Sequence, residues 1–291
     1  MAELFNWFYE PFSFEFMRQA LLTALLVAVV CALLSCYLVL KGWSLMGDAI
    51  AHAVLPGVVI AFLLGLPLTV GAFFSGVCCA LATGYLKENS RLKEDTVMGI
   101  VFSGMFAFGL ILFVNVDSDQ HLSHILFGNL LGVTQAAFQL TLWISLFTFV
   151  IVFLKRKDFL LYCFDPVQAA VVGLPVRLLH YLLLMLLALT IISAMQVVGV
   201  ILVVALLIAP GITAFCLTKS FNRMLLIAIS VSLLSSVLGT IFSYHWDSAT
   251  GPTIVLVQSC CFIFALLYRT WRTQRDKVRF QQQTSPHKSA V

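Results

Sequence analysis

Two residues in this chain have the type and spacing for chemistry rather than packing. They are Asp48 and His52, four apart in the run Trp43-Ser-Leu-Met-Gly-Asp-Ala-Ile-Ala-His-Ala-Val-Leu-Pro-Gly57. On a helix this spacing puts both side chains on one face, one turn apart. Together they offer one hard oxygen and one borderline nitrogen, a pair that suits Mn²⁺, Fe²⁺ or Zn²⁺ better than Cu(I) or an alkali ion. Two ligands hold a metal loosely, and a transport site requires that, because the ion must leave again. The plainer readings of the same pair are an ion pair tying two helices together and a proton relay.

The elements that must carry this pair follow from composition. The chain has 291 residues, 61% apolar and only 10% charged, with mean hydropathy +1.03. A soluble domain carries about 25% charged residues, and a disordered one has low hydrophobicity, so both classes are excluded. The apolar runs are continuous and about 20 residues long, which points to an all-α polytopic membrane protein and not to a barrel of alternating strands. Such runs fall at 18–40, 44–64, 68–86, 96–114, 137–154, 178–195, 199–217, 222–243 and 252–269. They predict about nine transmembrane helices. The count falls to eight if the second run, broken by Pro56-Gly57, or the division of the sixth and seventh at Gln196 does not hold.

Ionisable groups inside spans are costly and usually functional. Arg18, His180, Arg223 and Arg269 sit at span ends; Asp48 and His52 are the remaining ones within a span. Counted from Trp43 at about 1.5 Å per residue, they lie roughly 8 to 14 Å from one end, near mid-bilayer.

Charge orients the bundle. If odd-numbered spans run inward, Lys41, the Lys87–Lys93 loop, the Lys155–Arg177 loop, Lys219, Arg223 and the tail from Arg269 share one side, which collects 16 of the 17 Lys and Arg residues. The positive-inside rule makes that side the cytoplasm, with the N-terminus outside and the C-terminus inside. Three regions follow. Residues 1–17 form an aromatic N-terminal segment (Phe5, Trp7, Phe8, Tyr9, Phe12, Phe14, Phe16) suited to the outer interface, and acidic rather than signal-like. Residues 18–269 form the transmembrane domain, and 270–291 a basic cytoplasmic tail beside anionic lipid, with no role in nucleic-acid binding.

Other features carry less. The eight cysteines (Cys31, Cys36, Cys78, Cys79, Cys163, Cys216, Cys260, Cys261) form no C-x-x-C pair and read as small hydrophobes. Pro56-Gly57 and Pro210-Gly211 are expected to interrupt two helices of opposite direction, a pointer to a midplane site in transporters. Asp117, Asp119, His121 and His124 crowd one outer loop, and His245 and Asp247 another; they are either a cation vestibule or ordinary solvated loops. In the Lys155–Arg177 loop, Asp165 can cap a short helix that has Pro166 at its first position and Gly173 just past its end. That stretch alone reads equally as an ordinary connector. The sequence contains neither a P-loop nor H-E-x-x-H, so any ATP used in transport is hydrolysed by another polypeptide.

The run Leu38 to Gly57 resembles the second-helix region of the membrane permeases of metal-ion ABC importers, the zinc, manganese and chelated-iron systems. Further matching runs are Lys93 to Ile100, His124 to Gly128, Phe164 to Val176 and Val198 to Ala214, in family order from about Phe12 to Leu267. The resemblance is strongest to the manganese and iron branch of this ABC-3 family. It implies two permeases, either copies or paralogues, two cytoplasmic ATP-binding subunits, and an external metal-binding protein that delivers the ion, all at the bacterial inner membrane. It implies no permanently bound cofactor and no catalysis in this chain, the divalent metal being cargo. The family's metal contacts map onto Asp48 and His52. Its coupling helix maps onto the stretch holding Asp165, Pro166, Ala169, Ala170 and Gly173, where the two alanines would let an ATP-binding subunit approach closely. Beyond Arg272 the tail matches no family pattern.

Two other classes compete with this reading. A cation/proton secondary transporter would use Asp48 and His52 as its relay, but needs further acids along the spans. An intramembrane enzyme or assembly factor would need a nucleophile or metalloprotease motif. Neither requirement is met in the sequence.

Overall fold

The computed structural model describes residues 10–43, 45–114 and 132–284. After a 3₁₀ turn at Glu10–Ser13, twelve α-helices follow: α1 Glu15–Lys41, α2 Met46–Ala53, α3 Leu55–Leu63, α4 Leu68–Glu88, α5 Glu94–Val114, α6 Gln135–Leu154, α7 Arg156–Phe164, α8 Pro166–Val171, α9 Val176–Val198, α10 Val200–Leu217, α11 Phe221–His245 and α12 Thr250–Thr284. Taking α2 and α3 as one broken span, nine stretches among the described residues are long and apolar enough to cross a membrane. The sixth and seventh spans do divide, at Gly199 (φ 83°), a conformation that a side chain would strain. All eight cysteines are free thiols.

The contacts sort the helix ends into two groups, as nine alternating spans require. At one end, Tyr37 near the close of α1 packs against Phe159 of α7 and Phe221 of α11. Lys41 lies 4.2 Å over the Tyr162 ring, and Arg269 of α12 reaches Cys216 near the close of α10. At the other end, Phe14 meets Tyr244, and Thr69 opening α4 hydrogen-bonds Gln196 near the close of α9. The basic residues beyond Arg18 therefore gather at one end.

The core lies between α1, α9 and α10, whose spans are 72%, 72% and 50% buried. Small residues let these helices close up, and α1, α10 and α11 meet along Ala28, Ser35, Gly211 and Ser232. By contrast α5 has only 17% of its span buried. It presents a large apolar face outward.

Three expectations change here. Pro210-Gly211 does not interrupt α10, which runs helical from Val200 to Leu217. Proline removes a backbone donor, and Ser35 of α1 compensates locally. Its hydroxyl donates to the Ile208 carbonyl at 3.3 Å and accepts from the Gly211 N–H at 2.9 Å. Second, the helix of the last span does not stop with the apolar run at residue 269: α12 continues to Thr284. The polar sequence after Arg269 has no Pro or Gly before Pro286 and is rich in good helix formers. Third, Asp117, Asp119, His121, His124 and the aromatic residues Phe5 to Tyr9 lie outside the described residues.

Candidate functional site

The second span breaks into α2 and α3 at Val54, two residues before Pro56. Proline at 56 has no N–H to return to the His52 carbonyl, so the helical ladder cannot continue through it. The Ala53 carbonyl is taken instead by the Ser75 hydroxyl of α4, at 2.6 Å. The half-helix α3 is fixed by a close crossing in which the Gly57 and Gly71 backbones touch, and Pro56 packs against Gly109 of α5. These contacts hold α2 as a short rod whose Gly47 sits on Leu207 of α10.

Asp48 and His52 lie on this rod. Asp48 Oδ1 is 3.3 Å from His52 Nε2, and the side chains are 45% and 36% exposed. The His52 ring packs edge-on against Phe106 of α5, with centroids 5.4 Å apart. The helix begins at Met46 and not at the Trp43 turn, so Asp48 falls in its first turn and His52 one turn further in. The pair therefore lies nearer the basic end than a count from Trp43 suggests, because the helix that carries it starts only at Met46.

The geometry suits shared ligation. With metal–ligand bonds of about 2.1 Å, donors 3.3 Å apart subtend about 100° at one ion, between the octahedral and tetrahedral angles. Among the described residues no third His, Cys, Asp or Glu joins the pair in a group that could hold an ion. An Asp half-exposed to hydrocarbon would cost about 3 kcal/mol. The open side of the pair must therefore face water or another protein surface.

The Asp165 stretch folds as its cap signals suggest. Asp165 Oδ1 accepts the Val167 and Gln168 N–H groups at 3.0 Å, and Pro166 opens α8. Gly173 (φ 86°) closes it, with the Gly173 and Leu174 N–H groups donating back to Ala170 and Ala169. The two alanines part company, however. Ala169 is fully buried within the chain, so only Ala170 remains on the open face. Around it Phe164, Val167 and Val171 are 74–82% exposed, an apolar surface at the basic end that no described residue covers.

His180 is a residue that span-end position alone undervalues. It is buried in α9, with Nδ1 2.7 Å from the Tyr162 hydroxyl and its ring edge-on to Trp43. It joins α7 and α9 to the turn that launches α2. Its one signal in the sequence was being an imidazole at the end of an apolar run. On the opposite end, Asp247 is exposed in its loop at φ 48° and forms no cluster with the described residues.

Known proteins resemble this chain in sequence and in fold. The sequence is 62% identical to the chelated iron transport system membrane protein YfeD of Yersinia pestis over 277 residues, covering 95% of this chain and 93% of the relative. It is 47% identical to the manganese transport system membrane protein MntB of Synechocystis over 262 residues, 90% of this chain and 86% of that one. Among solved structures, PsaBC from Streptococcus pneumoniae in complex with a Fab superimposes with TM-score 0.77 at 39% identity, over 89% of this chain and 94% of the other. The profile of the ABC 3 transport family matches residues 13–269, and the chain belongs to that family.

Proposed function

We propose that this chain is the membrane permease of an ATP-driven importer for a divalent transition metal, Mn²⁺ or Fe²⁺, with Zn²⁺ the next candidate. The observation that carries the proposal is the Asp48–His52 pair, 3.3 Å apart and half-exposed in a membrane span. Relatives named for iron and manganese transport support the cargo class. In this reading the ion meets Asp48 and His52 as it passes, and a second permease, identical or paralogous, covers the open side of the pair. Two such chains would bring two carboxylates and two imidazoles to one path, each chain contributing too few ligands to trap the ion. An external metal-binding protein delivers the ion on the side away from the basic loops, and the basic end faces the cytoplasm. There, separate ATP-binding subunits seat on α8 through Val167, Ala170 and Val171, since this chain has no P-loop of its own. The proton-relay alternative gains nothing from the fold, because no further acid among the described residues joins the pair.

The direct test is uptake of labelled Mn²⁺, Fe²⁺ and Zn²⁺ by cells lacking the chain and by cells regaining it. Restored uptake of one of these metals, dependent on ATP and not on the proton gradient, is the expected result. Restoration that collapses with the proton gradient while ATP is held constant would favour the antiporter instead.

A further inference from the structure

The basic end holds a second built feature that metal passage does not use. Where α10 hands over to α11, the short link Thr218–Ser220 lies beside the point at which α12 leaves its apolar stretch. Between them is a cavity of about 530 Å³ into which Lys219, Arg223, Arg269 and Arg272 converge. None of its lining residues is a carboxylate among the described side chains, and none of these four cations forms a salt bridge with a described side chain. Arg269 is held there by its contact with Cys216 of α10 at 3.8 Å. Like charges gathered without an acid repel one another, so the arrangement is stable only with an anion or solvent between them.

Immediately next to it is a second cavity of about 450 Å³, sharing Phe215, Thr218 and Lys219 with the first. Its walls are almost wholly apolar, from Leu160, Leu161, Phe164, Phe215 and Met224. A cationic cup thus opens onto a greasy groove. The height of the pair in the membrane is marked by Tyr268 and Trp271, both about half-exposed on α12. Aromatic residues at the end of an apolar helical stretch sit at headgroup level.

We propose that these two cavities form one site for an anionic phospholipid. The phosphate would lie among Lys219, Arg223, Arg269 and Arg272, and an acyl chain along the groove by Phe215 and Leu161. A free phosphate or a nucleotide matches the cup but leaves the groove unused, and a lipid matches both. The inner leaflet is the anionic one, so the site's leaflet rests on the cytoplasmic orientation proposed above.

The test uses the purified full chain in neutral detergent, titrated with phosphatidylglycerol or phosphatidylcholine and read by native mass spectrometry. Phosphatidylglycerol is expected to bind in preference. Each basic residue near an anionic lipid is worth about a fivefold change in binding, so R269Q/R272Q should weaken it about 25-fold. K87Q/R91Q removes the same charge elsewhere on the basic end and should stay within twofold of the parent chain. Glycerol 1-phosphate in hundredfold excess should not displace the lipid; full displacement would make this a free-phosphate site and overturn the proposal. Equal binding of the two lipids, or equal losses in the two variants, would overturn it as well. So would normal lipid binding by R269Q/R272Q together with loss of ATP-binding subunits, which would mark a protein-docking surface. If a reporter at Val291 proves external while lipid binding persists, the orientation fails and the lipid site stands.

Discussion

Replacing Gly57 by alanine tests the crossing that holds the broken span in place. A Cβ built at Gly57 meets the Gly71 carbonyl oxygen in hard overlap, and lies 2.5 Å from Ser75 Cβ and 2.8 Å from the Gly71 carbonyl carbon. Carbon atoms in contact settle at about 3.5–4.0 Å, so α3 and α4 must separate by roughly 1 Å. The obstacle is backbone, which cannot turn aside as a side chain can. Overpacking of this kind costs about 1–3 kcal/mol. The same displacement stretches the Ser75–Ala53 hydrogen bond, now 2.6 Å, at a further cost of about 0.6 kcal/mol in a membrane. A total near 3 kcal/mol corresponds to a fall of about 6–12 °C in melting temperature for a chain of this size. The control is Gly99→Ala on α5, where a Cβ meets nothing within 4 Å. There alanine recovers up to about 1 kcal/mol of helix propensity, so melting should be unchanged or slightly raised. The assay is thermal unfolding of the purified chain in detergent, followed by size-exclusion fluorescence. Equal melting temperatures for the two variants would refute the crossing as the constraint on α3.

Further outcomes follow from other contacts. Ser35→Ala removes both hydrogen bonds that bridge α1 to the Pro210 region; we expect a loss of about 1 kcal/mol, read as a lowered melting temperature, and an unchanged melt would show that α10 needs no such support. Ala170→Glu places a charge at the centre of the exposed apolar face of α8, and purified complexes should lose ATP-binding subunits or metal-stimulated ATP hydrolysis; full retention with normal stimulated hydrolysis would leave α8 a connector. A reporter active only in the cytoplasm should be active at Val291 and silent when fused before Glu3, and the reverse would invert the orientation.

Local signals were the ones the sequence expressed. Continuous apolar runs marked every span, and Pro56 marked the break because a missing N–H acts on its own helix. Asp165, Pro166 and Gly173 announced α8 because each cap is a bond between near neighbours. What needed the fold was long-range. Pro210-Gly211 looked like a second break, but Ser35, 176 residues from Gly211, reaches in to bridge it. Ala169 and Ala170 are indistinguishable as letters, and only the packing of α8 decides which is buried. Lys219 and Arg223 lie about fifty residues before Arg269 and Arg272, so their shared cup has no sequence spacing to betray it. Asp48 and His52 were legible for a physical reason. A charged group in a span is so expensive that its presence is itself the signal.

The central claim is that Asp48 and His52 touch the ion in transit. It is tested most directly by metal uptake in cells expressing Asp48→Ala or His52→Ala at levels matched to the parent chain, with membrane insertion and ATP-binding-subunit assembly verified. Both residues are half-exposed and their pairing is local to α2, so folding should survive the substitutions. Uptake in either variant is expected to fall to the level of cells lacking the chain, while assembly remains normal. Parental uptake rates in both variants would remove these residues from the pathway.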